Sequence, residues 1–270
     1  MSPQIGIGSS HSKVPAGLGK GLIERTQTFR DRVRSSSNGE IEDDSLSGLY
    51  DPILRDVKGW GLLPDLVFFA SGSAVEVTSG SLPRVFDASG NEQDAIQTTT
   101  ADQPALDKDS IGGRWGMTFD GSGDELISNN NFATSPTTHF WVASLNTLPA
   151  DHHIVDGYQS NVNDTRQIIR SFTGNWDIYD SSGLTDDLAD QNDHLFEAIF
   201  DGANSELVID GTSVVQGDTG GGTLEDMTIG SNRNDSYWEG PINQGLIFDV
   251  RLSSSQRSKI RSRIQDWYSL

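Results

Sequence analysis

Twenty-nine aspartates and ten glutamates are the most abundant groups able to do chemistry in this chain, so their spacing comes first. Acid–base work on a strand needs carboxylates two residues apart, because alternate side chains share a face. Asp177 and Asp180 differ by three and are expected on opposite faces, and none of the ten glutamates opens a Glu-x-Asp-x-x-Glu set. His152 and His153 sit between Asp151 and Asp156. Neighbours on a strand point opposite ways, so a solvated turn is the better reading than a shared metal. His11, His139 and His194 are isolated, and no Ser-His-Asp arrangement follows from spacing. Aspartates in Gly- and Asn-rich loops suit Ca2+, which takes oxygen ligands. The candidates are Asp120, Asp124, Asp201 and Asp235, although chance clusters are expected among so many carboxylates. Trp176, Tyr179, Tyr237 and Trp238 are candidates for a sugar-stacking plate, since aromatic faces suit carbohydrate rings. The competing reading packs Trp176 and Trp238 on a sheet or at a subunit interface, and it is preferred. Gly220-Gly221-Gly222 lacks a lysine and a following helix, so it is a loop and not a phosphate cradle. Without cysteine, disulfides, thiolate metal sites and cysteine nucleophiles are excluded.

Charge narrows the partners. The net charge is −20, with only five lysines against fourteen arginines. It is also segregated: residues 1–40 carry a net +3, residues 251–270 a net +4, and residues 41–250 a net −27. Such a field repels itself at low ionic strength and is screened within about 3 Å in molar salt. Surplus aspartate with scarce lysine therefore predicts a halophilic protein in a high-salt environment. The same field argues against nucleic acid, whose phosphates select basic surfaces. No apolar run approaches a membrane span or the core of a signal peptide, so neither membrane insertion nor a secretory route is expected.

The elements that must position these residues are mostly strands. Residues 1–20 are Gly-rich and read as an extended arm. Leu22, Phe29 and Val33, with Thr26 between, form one narrow helical stripe over residues 21–34, flanked by four arginines. A helix with so little apolar surface needs a partner, either its own domain or a neighbouring subunit. The three apolar residues are thus the candidate assembly interface, with 35–44 as a polar linker. Asp51-Pro52 predicts a helix start, followed by Ile53, Leu54 and Val57 up to Gly59. From Leu66 onward, short apolar runs alternate with Gly, Asp, Asn and Ser, the pattern of a sandwich. Asp210-Gly211 between two β-rich runs predicts a hairpin turn. Ser253–Ser255 caps a last helix with the stripe Ile260, Ile264 and Trp267. The expected division is 1–45 for an attachment arm and helix, 46–65 for a helical lead-in, and 66–270 for the sandwich with its C-terminal helix.

Several motifs, in order, carry a resemblance. Val85–Asn91, Met117–Gly121, Phe200–Gly202, Leu207–Gly211, Met227–Asn232, Glu239–Ile242 and Gly245–Asp249 lead to the helix closing on Trp267-Tyr268. Together they resemble the concanavalin A-like/laminin-G-like superfamily over residues 66–270. The resemblance implies an all-β jelly roll, and a Ca2+ site as in some of its members. Endoglucanases of this fold carry a strand-borne Glu-x-Asp-x-x-Glu set or a close variant, which this sequence lacks, so no catalysis is expected. Leu49–Pro52 and Gly61–Leu66 are similar to the lead-in before such sandwiches in virion proteins of tailed viruses. With the charge, this implies a virion structural protein of a virus infecting salt-loving archaea, a capsid decoration, turret or tail component that self-associates and contacts other virion proteins. The alternatives are an adhesion module for cell-surface glycans and, more weakly, a glycoside hydrolase.

Overall fold

The computed structural model describes residues 20–63, 65–128, 133–148, 151–158, 166–224 and 226–270. Seventeen strands form one continuous antiparallel network that folds into two layers. In the first layer, Gly39–Ile41, Leu66–Thr78, Glu239–Phe248, Thr137–Ala143, His194–Phe200, Ser205–Ile209 and Thr212–Gly217 lie side by side. In the second, Ser81–Asp87, Ala95–Ile96, Leu126–Ser128, Asp226–Ile229, His152–Tyr158, Ile168–Phe172, Asn175–Tyr179 and Gly183–Leu188 do so. Leu66–Thr78 turns directly into Ser81–Asp87 and joins the layers.

Two apolar cores explain two sequence patterns. Between the layers, Trp141 and Ala143 meet Val155, Ile169, Trp176 and Ile178. On the outer side of the first layer, Phe140, Val142, Leu195 and Leu246 meet the helices. Strand Thr137–Ala143 is therefore buried on both faces, and its second half, Phe140–Ala143, is a continuous apolar run. Asn175–Tyr179 is covered by an apolar core on one face only and alternates.

The helices are α1 (Lys20–Ser35), α2 (Asp51–Gly59) and α3 (Ser254–Tyr268). None of the described helices is long and apolar enough to cross a membrane. The structure corrects the reading of α1 as a docking helix. Phe29 and Val33 are buried in the chain's own second core, and Phe29 packs on Tyr50 with ring centroids 5.3 Å apart. Thr26 donates to Asp51 at 2.6 Å, and Arg32 pairs with Asp94 at 2.9 Å. The partner that the narrow stripe needed is the sandwich itself, so Phe29 and Val33 are not a free assembly interface. The side chain of Leu22, and the arm before Lys20, lie outside the described residues. Asp51 is not a cap either: a π-helical turn, Leu46–Tyr50, runs straight into α2, and Asp51 already has helical dihedrals. The cap on α3 is as read, with Ser253 and Gln256 forming a capping box.

The Asp210-Gly211 turn is formed, with φ of 51° and 87° at its two positions. A β-carbon at residue 211 would also sit 3.2 Å from an Arg261 nitrogen. Gly211→Val is expected to cost about 1–3 kcal/mol, because a β-branched residue resists positive φ. An unchanged denaturation midpoint would rule that strain out.

Candidate ligand-binding face

The helices pack against the first layer, which leaves the outer face of the second for polar side chains. Cross-strand register sets that face. His153 lies opposite Arg170, and Arg170 opposite Asp177. One row over, Thr228 faces Asp156, Asp156 faces Ile168, and Ile168 faces Tyr179. Opposed residues in an antiparallel pair share a face, so these side chains stand together.

Arg170 is the centre. Its guanidinium carbon lies 4.2 Å from the Phe172 ring centroid and 5.3 Å from that of Tyr179. Its Nε donates to Asp177 at 2.7 Å, and Asp177 also accepts from Thr185 Oγ1 at 2.6 Å. Cation–π contact and the carboxylate fix the plane of the guanidinium. Among the described residues its Nη groups make no hydrogen bond. Beside it, Asp156 is buried, with His153 Nδ1 at 3.1 Å and Arg166 at 3.3 Å. Arg233 donates to Thr228 at 2.5 Å and lies 3.8 Å from Asp226. The result is a largely buried lattice of guanidinium–carboxylate pairs with aromatic rings beside it.

The four proposed stacking residues do not form a plate. Trp176 and Trp238 are interior, stacked on each other at 6.4 Å and 28°. Tyr179 is on the outer face, three residues from Trp176 and so on the opposite side of its strand. Tyr237 sits in the 231–238 loop, where its hydroxyl donates to the Asn234 carbonyl at 3.3 Å. His152 and His153 are not a solvated turn but buried strand residues. His152 turns toward Trp238, with its Nδ1 2.6 Å from the Tyr237 carbonyl. His153 turns out. A bulge between His153 and Val155 adds one residue, so His153 and Asp156, three apart, share a face. Alternation alone conceals that pairing.

The Ca2+ candidates are dispersed. Asp201 is salt-bridged to Arg251, and Asp235 accepts from Asn232 at 3.2 Å. Asp120 and Asp124 are neighbours, but among the described residues no three His, Cys, Asp or Glu side chains make a metal-ligand group. Burial, then the charges of Asp120 and Asp102, push Asp124 up to about 6. A carboxyl raised above its unfolded value near 3.9 destabilises the fold when charged, above about pH 6. Asp124→Asn keeps an acceptor for the Asp120 amide, which Asp124 now binds at 2.9 Å. It is expected to stabilise on the order of 1 kcal/mol at pH 7.5 after solvent screening, a gain that fades through pH 6 and is gone near pH 4. Denaturation curves at the two pH values check this. A wild-type midpoint raised by Ca2+, with the response lost in Asp124→Asn, would instead mark a calcium site.

The architecture is an all-β jelly roll closed by a C-terminal helix. No protein-family model matches the sequence, and no curated protein matches it. Solved structures do. Domain 4 of AbnA, a GH43 extracellular arabinanase from Geobacillus stearothermophilus, in complex with arabinotriose, superposes with a TM-score of 0.55 at 14% identity, over 73% of this chain and 98% of that one. Trypanosoma rangeli sialidase with the inhibitor DANA gives 0.52 at 13% identity, over 90% of this chain. The botulinum neurotoxin serotype D binding domain gives 0.50 at 16%, over 78% of this chain. The chain spans only 38% of the sialidase and 52% of the neurotoxin domain. At these identities the likeness is one of fold.

Proposed function

We propose that this chain is a non-catalytic glycan-binding module whose site is the outer face of the second layer. The observation that carries the reading is Arg170, within cation–π distance of both Phe172 and Tyr179 and with its Nη donors unclaimed by the described residues. The carboxylates beneath, Asp156 and Asp177, are engaged by arginines, which suits positioning of hydroxyls rather than proton transfer. The arabinotriose complex of the AbnA domain supports the choice of ligand class, since that module covers nearly the same fold. Affinity at a shallow face is weak per site and rises when several copies are linked. A glycan array probed with the full chain in molar KCl tests this. Retention of at least one oligosaccharide class is expected. Its absence, or release of product from any glycan, would overturn the reading.

A virion setting in high salt extends the same proposal. Its support is the net charge of −20 and the lead-in at Leu49–Pro52, which the structure uses to roof the first layer. Because α1 is built into the body, a test of attachment must remove residues before Lys20 only. Loss of oligomers on sedimentation supports an attachment arm, and unchanged oligomers remove it.

A further inference from the structure

Building on the outer face as the glycan site, we infer that it selects uncharged sugars and that its binding is indifferent to salt. The inference rests on how the positive charges are placed. Residues 41–250 carry only eight basic residues among thirty-five acidic ones, and three of the eight, Arg166, Arg170 and Arg233, stand on this face. None of them is surplus. Among the described residues, Arg166 faces Asp156, Arg170 faces Asp177 and Arg233 faces Asp226, at least one carboxylate for each guanidinium. The side chains of Asp156 and Asp177 are 0% and 1% exposed, so they lie beneath the guanidinium groups, while Asp226 is 46% exposed at the rim.

An acidic sugar approaching this lattice gains from each guanidinium and loses to the carboxylate directly behind it. It also brings a charge that must be stripped of water without a counter-charge waiting for it. A neutral sugar does not meet that opposition. Each hydroxyl is both donor and acceptor, so neighbouring hydroxyls can accept from a guanidinium N–H and donate to an exposed carboxylate such as Asp226. Phe172 and Tyr179 offer apolar edges to the C–H face of the ring. A matched ion pair bound to an uncharged ligand releases no counterions, so its affinity does not depend on screening as an anion's does.

The test is calorimetric titration of the full chain with two panels. One holds neutral trisaccharides, arabinotriose among them, and the other holds matched trisaccharides bearing uronic or sialic acid. Each is run near 0.1 M and near 3 M KCl, where the screening length falls from about 10 Å to below about 3 Å. The expected result is that a neutral member binds with affinity constant within about threefold across the two salts, and that acidic counterparts bind about tenfold or more weakly in both. Tighter binding of an acidic member that weakens with salt would overturn the selectivity while leaving a glycan site in place. Failure of both panels at both salts would remove the glycan reading and this inference with it.

Discussion

Trp176→Ala is expected to destabilise the fold by about 3–5 kcal/mol, the range for deleting a large buried aromatic. Trp176 is 2% exposed and sits where three contacts converge. It stacks on Trp238, meets Phe196 edge-on at 4.7 Å, and meets His194 edge-on at 6.0 Å. His194 is itself pinned between Asp190 at 2.8 Å and Asp210 at 2.7 Å. A void at 176 therefore loosens both layers and the anchor of the Asp210-Gly211 hairpin. Chemical denaturation gives the loss directly. A variant that kept its midpoint and lost only sugar binding would return Trp176 to a surface plate, against the burial seen here.

Glu197→Ala ranks beside it, at about 3–5 kcal/mol, the cost of breaking a buried ion pair from one side. Glu197 is fully buried on the outer face of the first layer, under α3. One carboxylate oxygen lies 2.5 Å from Arg257, and the other accepts from Arg261 Nε and Nη2 at 3.1 and 2.7 Å. Arg257 also reaches Glu206 at 3.2 Å. Removing the carboxylate leaves the guanidinium of Arg257, 10% exposed, without its main counter-charge. The loss should persist in molar salt, because mobile ions screen buried pairs poorly. If high salt erased the difference between variant and wild type, the network would be a surface feature.

That network also shows where reading the sequence stopped. The basic C-terminal segment reads as a charged helix with its positive groups facing away. In the structure those groups are spent internally: Arg257 and Arg261 on Glu197, and Lys259 and Arg263 on Asp56 of α2 at 3.0 and 3.3 Å. Arg32 of α1 does the same with Asp94. Segregation of charge along the chain is thus partly segregation between helices and sheet, folded back together. Composition records the imbalance but not the partner. The jelly roll itself was legible, because turns rich in Gly, Asp and Asn and short alternating runs are local properties. So was the hairpin at Asp210-Gly211, where a dipeptide dictates the backbone.

The proposed binding face was legible only in part. The ring of Tyr179 makes it a candidate, but Trp176 lies three residues away, and a strand sends residues an odd number apart to opposite sides. Arg170 and Asp177 carry no motif; they meet because Ile168–Phe172 and Asn175–Tyr179 pair in one register. His153 and Asp156 share a face through a bulge that no residue type announces.

The most direct test of the glycan face is the affinity of Arg170→Lys for whichever oligosaccharide the full chain retains. Lysine keeps a positive charge near Asp177, so the denaturation midpoint should stay close to that of wild type. It cannot lie flat between Phe172 and Tyr179 or present paired donors. The account predicts about a tenfold or greater loss of affinity by calorimetry, the worth of a hydrogen bond or two to a charged group. Wild-type affinity in a folded Arg170→Lys chain would place the sugar elsewhere and contradict it.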